Sequence, residues 1–416
     1  MRVLIWHGYL LSGTGSNEYS RALARTLSRQ GHEVVVLSQD PHPEAHDLGS
    51  ATAMRPELPG RLPVFVLDHY AQATPALLPT MSRAELDEYV AAQVSAIGRA
   101  GPADLLITNH ALLGGPVGAA SGLPYVVKVH GSELEYALRG NPDLCIWARQ
   151  TLEPAQEVVV GSAHVAQVLA DLVGPVPSRI VTPGVDVEQM APEPRDEAWG
   201  RLIAESGKDE TNVGDERLPD PGNAQRMAAF MAGPARPTVV YVGKLSEQKG
   251  VHLLLEALQG MDARVVVVGF GPARAALEDM AADLGLDALF TGPLQHRHLA
   301  HLWAAADVSV VPSIFPEAFG MVAAEAAATG CPPLVARHSG LAEVAEGISG
   351  YIPAHLRACL TFERGDTADL RRALSEVLAL SREDRAALST GCRQAVTALW
   401  SWDSVASRML DSATVA

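Results

Sequence analysis

The sequence predicts an α/β protein with two doubly wound parallel sheets, one in each half of the chain. In the first half, a strand-like apolar run at 2–6 leads through a glycine-containing loop at 13–19 into a helical pattern, and a second apolar run follows at 34–38. The same rhythm begins again at 237–243. Short apolar runs that alternate with helical segments are typical of parallel sheets. A length of 416 residues fits about two such domains.

The remaining elements follow in order along each half. In the first half, further strands are predicted to begin at 104, 125, 157 and 179. The second half alternates helix and strand from 250 to 313, then has a helix and a closing strand, with these segments: 250–260, 263–271, 273–285, 289–294, 298–306, 308–313, 321–330 and 332–338.

Residues 187–236 separate the two halves and are rich in Pro, Gly, Asp and Glu, which indicates a linker or an insertion. Two helical patches lie inside this segment, at 197–206 and 223–233. The predicted organisation is a first domain at 1–186, the insertion at 187–236, a second domain at 237–395 and a terminal helix at 396–416.

Composition excludes several classes of function. The formal net charge of −16 opposes binding to the phosphate backbone of nucleic acids. The four cysteines lie far apart without CxxC spacing, so free thiols are favoured over a zinc or disulfide framework. No apolar run reaches the length of about 18 residues that a membrane helix needs, and the first strand leaves no room for a signal peptide. We therefore expect a cytoplasmic protein with no integral membrane segment and no nucleic-acid partner.

Two glutamates, Glu317 and Glu325, stand eight positions apart in the otherwise almost uncharged stretch 311–330. They flank a predicted strand–loop–helix junction, and helix N-termini offer unpaired N–H groups to anions. Because a carboxylate accepts pairs of hydrogen bonds, the two residues suit the diols at either end of a nucleotide sugar. On this interpretation Glu317 binds the sugar and Glu325 binds the ribose. Alternatively, Glu317 is a helix-start carboxylate favoured by the helix dipole, and Glu325 is solvated.

Two lysines, Lys244 and Lys249, lie in the predicted loop after the first strand of the second half. Two cations in one loop of an acidic chain suit a diphosphate, whose charge they would neutralise as it departs with an electron pair. The alternative is a solvated basic loop without a ligand.

Together, these motifs resemble those of glycosyltransferase family 4, retaining enzymes with the GT-B fold. The resemblance covers nearly the whole chain. Its E-x7-E element is EAFGMVAAE (317–325), and its basic loop is GKLSEQKG (243–250). Each motif is weak alone, and their order along the chain makes the set specific. The other matching segments are SGTGSNEY (12–19), KVHGSELEY (128–136), TPGVDVEQM (182–190), VVVVGFGP (265–272) and SWDSVASRML (401–410).

The resemblance implies two Rossmann-like domains facing a central cleft, with a C-terminal helix that crosses back to the first domain. The first domain would bind the acceptor and the second the nucleotide sugar. His130, Glu317, Lys244 and Lys249 would form the catalytic set, and Glu325 would hold the ribose. The other implied donor-site residues are Gly13, Thr14, Gly15, Gly243, Leu294, Ala318, Phe319, Gly320, Met321 and Val322.

Acceptor binding is assigned to Asn17, Tyr70 and His110, although each could equally be a packing or turn residue. His130 could likewise be a core histidine. Three features depart from the family pattern. Lys244 stands where Arg is usual, Ser339 and Gly340 replace a common Gly pair, and the insertion adds roughly thirty residues to a connection that is usually short. We hypothesise that the insertion shapes the acceptor side.

The resemblance further implies transfer by front-face attack, without a metal and without a cofactor. Retention then needs no protein nucleophile, only positioning and stabilisation of the departing diphosphate. The sequence leaves the donor base, UDP or GDP, and the oligomeric state open, and it favours a soluble small-molecule or glycoconjugate acceptor. Two alternatives remain: a phosphorylase-like or epimerase-like enzyme of the same fold, and a catalytically silent sugar-nucleotide-binding subunit.

Overall fold

The computed structural model describes residues 1–11, 13–66, 73–210 and 218–411. The described strands, in chain order, are β1 (Arg2–Trp6), β2 (Glu33–Leu37), β3 (Thr52–Met54), β4 (Leu62–Val64), β5 (Pro75–Leu77), β6 (Leu105–Asn109), β7 (Tyr125–Lys128), β8 (Glu157–Val160), β9 (Ser178–Ile180), β10 (Thr238–Val242), β11 (Arg264–Val268), β12 (Asp287–Phe290), β13 (Val308–Val311), β14 (Pro333–Ala336) and β15 (Thr361–Phe362).

The described α-helices begin after β1 and continue to the C-terminal region. They are α1 (Gly15–Arg29), α2 (Arg83–Ala100), α3 (Gly115–Ser121), α4 (Pro142–Leu152), α5 (Ala163–Val173), α6 (Arg195–Ser206), α7 (Asn223–Met231), α8 (Val251–Leu258), α9 (Arg274–Asp283), α10 (His296–Ala304), α11 (Met321–Ala328), α12 (Ser339–Ser349), α13 (Thr367–Leu378), α14 (Arg382–Trp400) and α15 (Trp402–Leu410).

The chain divides into two compact units. Unit 1 comprises residues 1–184 together with the C-terminal residues from 402, and unit 2 comprises residues 185–401. These bounds differ from the predicted ones because the described parts of the insertion belong to unit 2. Trp199, Leu202 and Met227 on α6 and α7 are buried in the core of unit 2. The apolar residues of the two helical patches thus provide a packing surface, which the overall acidic composition of the segment conceals.

Unit 1 is built on a parallel sheet with the order β3-β2-β1-β6-β7-β8-β9. A separate pair, β4 and β5, is also parallel. The strands of the large sheet include all six that the sequence predicts for this half. The strand order reverses between β1 and β6, and ligands of doubly wound sheets bind beyond the carboxyl ends of strands at such a point.

Helix α1 begins at Gly15, four residues before the predicted start at Tyr19. Thr14 occupies the N-cap position with extended backbone angles, and Glu18 lies in the first turn, where the helix dipole favours a carboxylate. Asn17 is therefore presented from the first turn of a helix rather than from a loop. The predicted glycine loop is correspondingly shorter.

Unit 2 contains a parallel sheet with the order β12-β11-β10-β13-β14-β15. Its strands are almost wholly apolar and buried, as expected for strands covered on both faces. The order reverses between β10 and β13, which pair directly. The loops after these two strands carry the predicted basic residues and the first predicted glutamate.

The C-terminal helix α15 belongs to unit 1. Val405, Ala406 and Met409 join the core cluster of that unit, and Gln30 Nε2, directly after α1, donates a hydrogen bond to Asp403 Oδ1 at 3.1 Å. The preceding helix α14 still belongs to unit 2. The terminal element therefore returns at Trp402, six residues after the predicted position 396.

A buried carboxylate, Asp307, joins three elements of unit 2 just before β13. Arg195 from α6 approaches it in bidentate fashion at 2.8 and 2.7 Å, and Arg385 from α14 donates at 2.7 Å. The backbone N–H of Thr238 in β10 donates at 2.7 Å. Burial alone would raise the pKa of Asp307, but the hydrogen bonds from Arg195 and Thr238 outweigh it and lower the pKa. The carboxylate thereby fastens the insertion to the sheet.

We expect Asp307→Asn to lower the free energy of unfolding by about 3 kcal/mol at pH 7, because it removes the partner of two partly buried guanidinium groups. Urea unfolding of both proteins measures the loss. Since the pKa of Asp307 is lowered in the fold, its stabilisation is present above the ordinary carboxyl pKa of about 3.9 and is lost as the pH falls through the folded pKa. The difference between the two proteins should therefore shrink in acid.

Asp262→Asn is the matched control, because Asp262 is 86% exposed where it pairs with Arg236. It should cost less than about 1 kcal/mol. Equal losses for the two variants would contradict a special role for Asp307.

Candidate functional site

The loops after β10 and β13 touch through their backbones at the carboxyl edge of the unit 2 sheet. Ile314 N donates to Gln248 O at 2.9 Å. Gly250 adopts a φ of +68°, and a Cβ at this position would lie 2.0 Å from Pro312 O. Only glycine permits such a close approach of two backbones. The two loops are thus held as one surface.

An ion pair joins these two loops. Lys249 Nζ lies 2.5 Å from Glu317 Oε1, and the side chains are 33% and 22% exposed. The pair is therefore desolvated in part and still within reach of a ligand. The structure brings Lys249 and Glu317 together, as expected for two residues of one site, but it does not pair Lys244 with Glu317.

Ser339, which the sequence analysis treats only as a departure from a glycine pair, supports Glu317 directly. Ser339 Oγ accepts a hydrogen bond from Glu317 N at 2.9 Å, and Gly340 N donates to Glu317 O at 3.0 Å. A Cβ at Gly340 would lie 2.4 Å from Phe319 Cα. The start of α12 thus clamps the backbone of the glutamate loop. Neither the serine nor its contact could be inferred from spacing.

The N-terminus of α11 follows the glutamate loop. Gly320 is the N-cap residue with a φ of +110°, and no side chain caps this end of the helix. The N–H groups of Met321 and Val322 lie in the first turn, where a helix leaves them unpaired, and both residues are partly exposed. Phe319 is buried against Trp400, with ring centroids 5.5 Å apart. This helix start can therefore accept an anion.

Glu325 lies on the second turn of α11, and its side chain is 13% exposed. Its Oε1 is 3.0 Å from His296 Nε2, at the start of α10. Leu294 precedes that helix and is partly buried. The structure therefore connects Glu325 with the segment after β12, a contact that the sequence analysis missed because 29 positions separate the two residues.

Lys244 is exposed on the loop after β10, next to Gly243. Its carbonyl oxygen accepts a hydrogen bond from the Tyr241 hydroxyl at 2.9 Å, which fixes the backbone while the ammonium group remains at the surface. Ala318 lies beside Glu317 and is partly exposed. Lys244 is thus exposed, and Gly243 and Ala318 are partly exposed, on the surface of unit 2.

In unit 1, His130 follows β7 in an arrangement that fixes its tautomer. Asn109 Nδ2 donates to Trp6 O at 3.1 Å, so the amide oxygen of Asn109 faces His130 Nε2 at 2.7 Å. Because an amide oxygen only accepts, Nε2 carries the hydrogen and Nδ1 keeps its lone pair. The ring is thus oriented by a residue at the end of the neighbouring strand β6.

Glu133 is fully buried and holds the loops after β6 and β7 together. Its Oε1 accepts from His130 N at 3.1 Å and Ala111 N at 3.2 Å, and its Oε2 accepts from Gly131 N at 3.0 Å. His110 Nδ1 lies 3.3 Å from Oε2. Burial raises the pKa of Glu133, but the charge and contact of His110 reverse this and lower it. In the sequence, Glu133 is visible only as an acidic residue three positions after His130. This spacing alone does not distinguish a buried glutamate from a solvated one.

The rings of His7, Tyr9, Phe65, His110 and His130 form a buried cluster in unit 1. Successive centroid distances run from 4.9 to 6.0 Å. His110 adopts a φ of +73°, an uncommon value for a residue other than glycine.

Asn17 joins the cluster through its Oδ1, which lies 2.7 Å from His7 Nε2. The structure therefore brings Asn17, His110 and His130 together. Tyr70 lies outside the described residues.

Two histidines of this cluster, His7 and His130, are held neutral. Burial lowers the pKa of His130 well below its ordinary value, and His110 and Lys128 lower it further. Burial lowers the pKa of His7 to about 3, with a further contribution from His110. Neutral rings can donate and accept hydrogen bonds at pH 7, so His7 and His130 can orient polar groups without adding charge.

Gly13, Thr14 and Gly15 are exposed at the start of α1. Gly13 has a φ of +92°, and the space around the Cβ positions of Gly13 and Gly15 is open to 4 Å. An incoming group can therefore approach this backbone closely.

Two family models match the two units in turn. The model described as Glycosyltransferase Family 4 matches residues 13–189, and the model described as Glycosyl transferases group 1 matches residues 230–392. The chain belongs to glycosyltransferase family 4.

Related proteins match this chain to different extents. A GDP-mannose-dependent alpha-(1-6)-phosphatidylinositol dimannoside mannosyltransferase of Mycobacterium tuberculosis is 40% identical over 131 residues, which are 30% of this chain and 34% of the relative. The match therefore spans only about a third of that relative. A D-inositol 3-phosphate glycosyltransferase of Saccharomonospora viridis is 29% identical over 435 residues, 95% of this chain and 88% of the relative.

The fold of this family 4 chain resembles those of solved GT-B structures. The Anabaena protein HepE in complex with UDP has a TM-score of 0.71 and 16% identity over 100% of both chains. Sucrose-phosphate synthase from Thermosynechococcus elongatus has a TM-score of 0.64 and 22% identity, covering 99% of this chain and 97% of that one. The two doubly wound units therefore correspond to the fold that the resemblance implied.

The following holds for the described ranges 1–11, 13–66, 73–210 and 218–411. They contain no group of three or more His, Cys, Asp or Glu side chains arranged to hold a metal ion. No helix within them is both long enough and apolar enough to cross a bilayer.

Lys128 in β7 interacts electrostatically with His130 of the unit 1 cluster, and its ammonium group is buried. Its Nζ donates to Val181 O at 2.6 Å and lies 5.2 Å from the centre of the Tyr19 ring. Burial lowers the pKa of Lys128 to about 7, although Glu133 opposes the shift. In the unfolded chain, the Lys128 ammonium group has the ordinary, higher pKa of a lysine. Between pH 7 and 9 the unfolded state therefore holds more of the Lys128 proton, and the contribution of this lysine to the free energy of unfolding rises with pH.

We expect this contribution to rise by up to about 1.4 kcal/mol per pH unit, so the slope of the free energy of unfolding against pH should be lower in Lys128→Met than in the unmodified protein by that amount. Urea unfolding at pH 7, 8 and 9 measures both proteins. Lys208→Met replaces an exposed lysine and serves as the control, which should keep the original slope. An undiminished slope in Lys128→Met would show that other groups cause the pH dependence.

Proposed function

We propose that this glycosyltransferase transfers a sugar from a UDP- or GDP-sugar to a soluble small-molecule or glycoconjugate acceptor, with retention of anomeric configuration and without a metal. The observation that carries the proposal is the Lys249–Glu317 pair beside the uncapped start of α11. Cation, carboxylate and free N–H groups lie together on one edge of the unit 2 sheet. These are the groups that a diphosphate and a sugar diol require.

The diphosphate is the group that must be stabilised as it leaves. Lys249 and Lys244 would neutralise its charge, and the N–H groups of Met321 and Val322 would donate to its oxygens. Such donors stabilise a developing anion because they are in position before the bond breaks. Lysine has no guanidinium fork, so Lys244 would act as a point charge rather than as a bidentate partner.

The sugar and ribose diols would bind the two carboxylates. Glu317 would accept from hydroxyls of the transferred sugar, with the N–H groups of Phe319 and Gly320 nearby. Its backbone clamp by Ser339 and its pairing with Lys249 keep the carboxylate in one place. Glu325 would accept from the ribose, and the base would lie near Leu294.

Unit 1 would supply the acceptor site and some of the groups that contact the donor. His130 is neutral with a fixed tautomer. It can therefore form a hydrogen bond with a sugar hydroxyl without also forming an ion pair with the negatively charged diphosphate. Asn17 and His110 would contact the acceptor, and the open backbone of Gly13, Thr14 and Gly15 would approach the donor. No cofactor is required by this arrangement.

A polar, soluble acceptor is favoured over a lipid by the acidic character of the chain, which opposes an anionic bilayer. The relative with 88% coverage is named for D-inositol 3-phosphate, and the mannosyltransferase named for a phosphatidylinositol acceptor aligns over only 34% of its length. We therefore take D-inositol 3-phosphate as the first acceptor to test.

Nucleotide binding tests the donor site without an acceptor. We expect UDP or GDP to stabilise the protein by roughly 2.7 kcal/mol at about 100 times the dissociation constant, visible as a rise in the thermal midpoint. Lys249→Ala should weaken the nucleotide at least about tenfold, because it removes a charged hydrogen-bond donor. Lys208→Ala removes an exposed lysine elsewhere on unit 2 and should bind normally. Unchanged affinity in Lys249→Ala would contradict the assignment of the diphosphate.

Product stereochemistry tests the reaction itself. With UDP- and GDP-linked glucose and mannose as donors, we expect an α-linked product from an α-linked donor, read by proton NMR of the anomeric signal. The rate should stay within about twofold when EDTA is added, because lysines and N–H groups carry the charge stabilisation. An inverted product, or a loss of activity that a divalent cation restores, would overturn the proposed mechanism.

A further inference from the structure

His296 contacts the carboxylate to which the proposed function assigns the ribose. Its Nε2 is 3.0 Å from Glu325 Oε1, and because a carboxylate only accepts, Nε2 is the donor. The imidazole is 55% exposed, whereas Glu325 is 13% exposed. The histidine therefore occupies one oxygen of Glu325 from the solvent side and leaves the other oxygen for a ligand.

The insertion holds the helix that carries His296. Asp209 Oδ2 lies 2.8 Å from His298 Nε2, and both side chains are almost completely buried. Asp209 also pairs with Arg297, and Glu193 pairs with His301. Arg297, His298 and His301 of α10 are thus each held by a carboxylate from the insertion at 187–236.

The insertion also holds the segment just before His296. Asn223 Nδ2 donates to Thr291 O at 2.9 Å, and Arg226 donates to Phe290 O. Asp220 receives Arg274 in bidentate fashion, and its Oδ1 would lie 2.3 Å from a Cβ at Gly292. The described parts of the insertion therefore support the backbone from β12 to α10 on both sides of Leu294.

We propose that His296 is a positioning residue for ribose recognition, and that the insertion serves the nucleotide half of the protein by holding His296 against Glu325. The inference rests on the proposed function, because it takes Glu325 as the ribose-binding group. A free glutamate on a helix samples several rotamers, and ordering it on binding costs affinity. The bond from His296 restricts those rotamers before the nucleotide arrives. Selectivity for a ribose over a deoxyribose is the property that this restriction should raise.

The test compares ribonucleotides with their 2′- and 3′-deoxy forms, using the whole protein and isothermal titration. The unmodified protein should bind the ribonucleotide at least about tenfold more tightly than the deoxy form, because the unmatched carboxylate is left without its hydroxyl partner. In His296→Ala the ratio should fall to about threefold or less. The affinity for the deoxynucleotide should stay within about twofold, since that ligand never engages Glu325 fully.

His296→Gln is the rescue variant, because the glutamine amide can place a donor near the position of the histidine Nε2. It should restore most of the ribose selectivity. His355→Ala is the matched control: His355 is an exposed histidine of the same unit that pairs with Asp384 at 2.8 Å. It should keep the selectivity of the unmodified protein.

The outcomes separate this inference from the proposed function. If the unmodified protein binds no nucleoside diphosphate, this result contradicts both the proposed donor site and the proposed role of His296. If the unmodified protein selects ribonucleotides and His296→Ala selects them equally well, the proposed role of His296 is contradicted but the proposed donor site is not. Loss of selectivity in His296→Ala together with its recovery in His296→Gln supports the inference, whereas equal loss in both variants contradicts it.

Discussion

In each unit the described strand pairs are all parallel, so the carboxyl ends of neighbouring strands meet at one edge of the sheet. The ion pair in unit 2 depends on this arrangement, because Lys249 follows β10 and Glu317 follows its neighbour β13. His130 and Asn109 meet in unit 1 for the same reason, at the ends of β7 and β6. Two glycine contacts then bring the loops to backbone distance. Parallel pairing thus gathers polar groups that lie up to 68 positions apart in the sequence.

The buried ionisable groups show two different ways of meeting the cost of desolvation. The pKa values of Asp307 and Glu133 stay lowered despite burial, because hydrogen bonds from Arg195 and Thr238 act on Asp307, and the charge of His110 together with several hydrogen bonds acts on Glu133. Lys128 has one carbonyl partner and an aromatic face, and burial lowers its pKa instead. The number of partners therefore decides whether a buried group keeps its charge. In unit 1 this places the Glu133 carboxylate and the two neutral histidines His7 and His130 around the same loops.

Much of the fold could be predicted because the strands are apolar runs and the helices have regular apolar spacing. The pairing of Lys249 with Glu317 was also foreseeable, since both follow strands that a doubly wound sheet places near its reversal point. The contacts of Ser339, Glu133 and His296 were not, because they join residues through space without any local periodicity. The packing of the insertion could not be predicted for a related reason. Its acidic composition is typical of a solvent-exposed linker, but some of its acidic residues, such as Asp209, form ion pairs with histidines and arginines. Charge composition alone cannot distinguish a linker from a segment with buried ion pairs.

The return of α15 to unit 1 has a consequence for biosynthesis. Val405, Ala406 and Met409 complete the core of unit 1, yet they are translated only after all of unit 2. During synthesis from the N-terminus, residues 1–184 therefore leave the ribosome with a helix-sized apolar area still uncovered. The N-terminal unit has to wait for its last helix, and the two units can reach their finished cores at nearly the same moment. A nascent chain stalled within unit 2 would expose that area to chaperones.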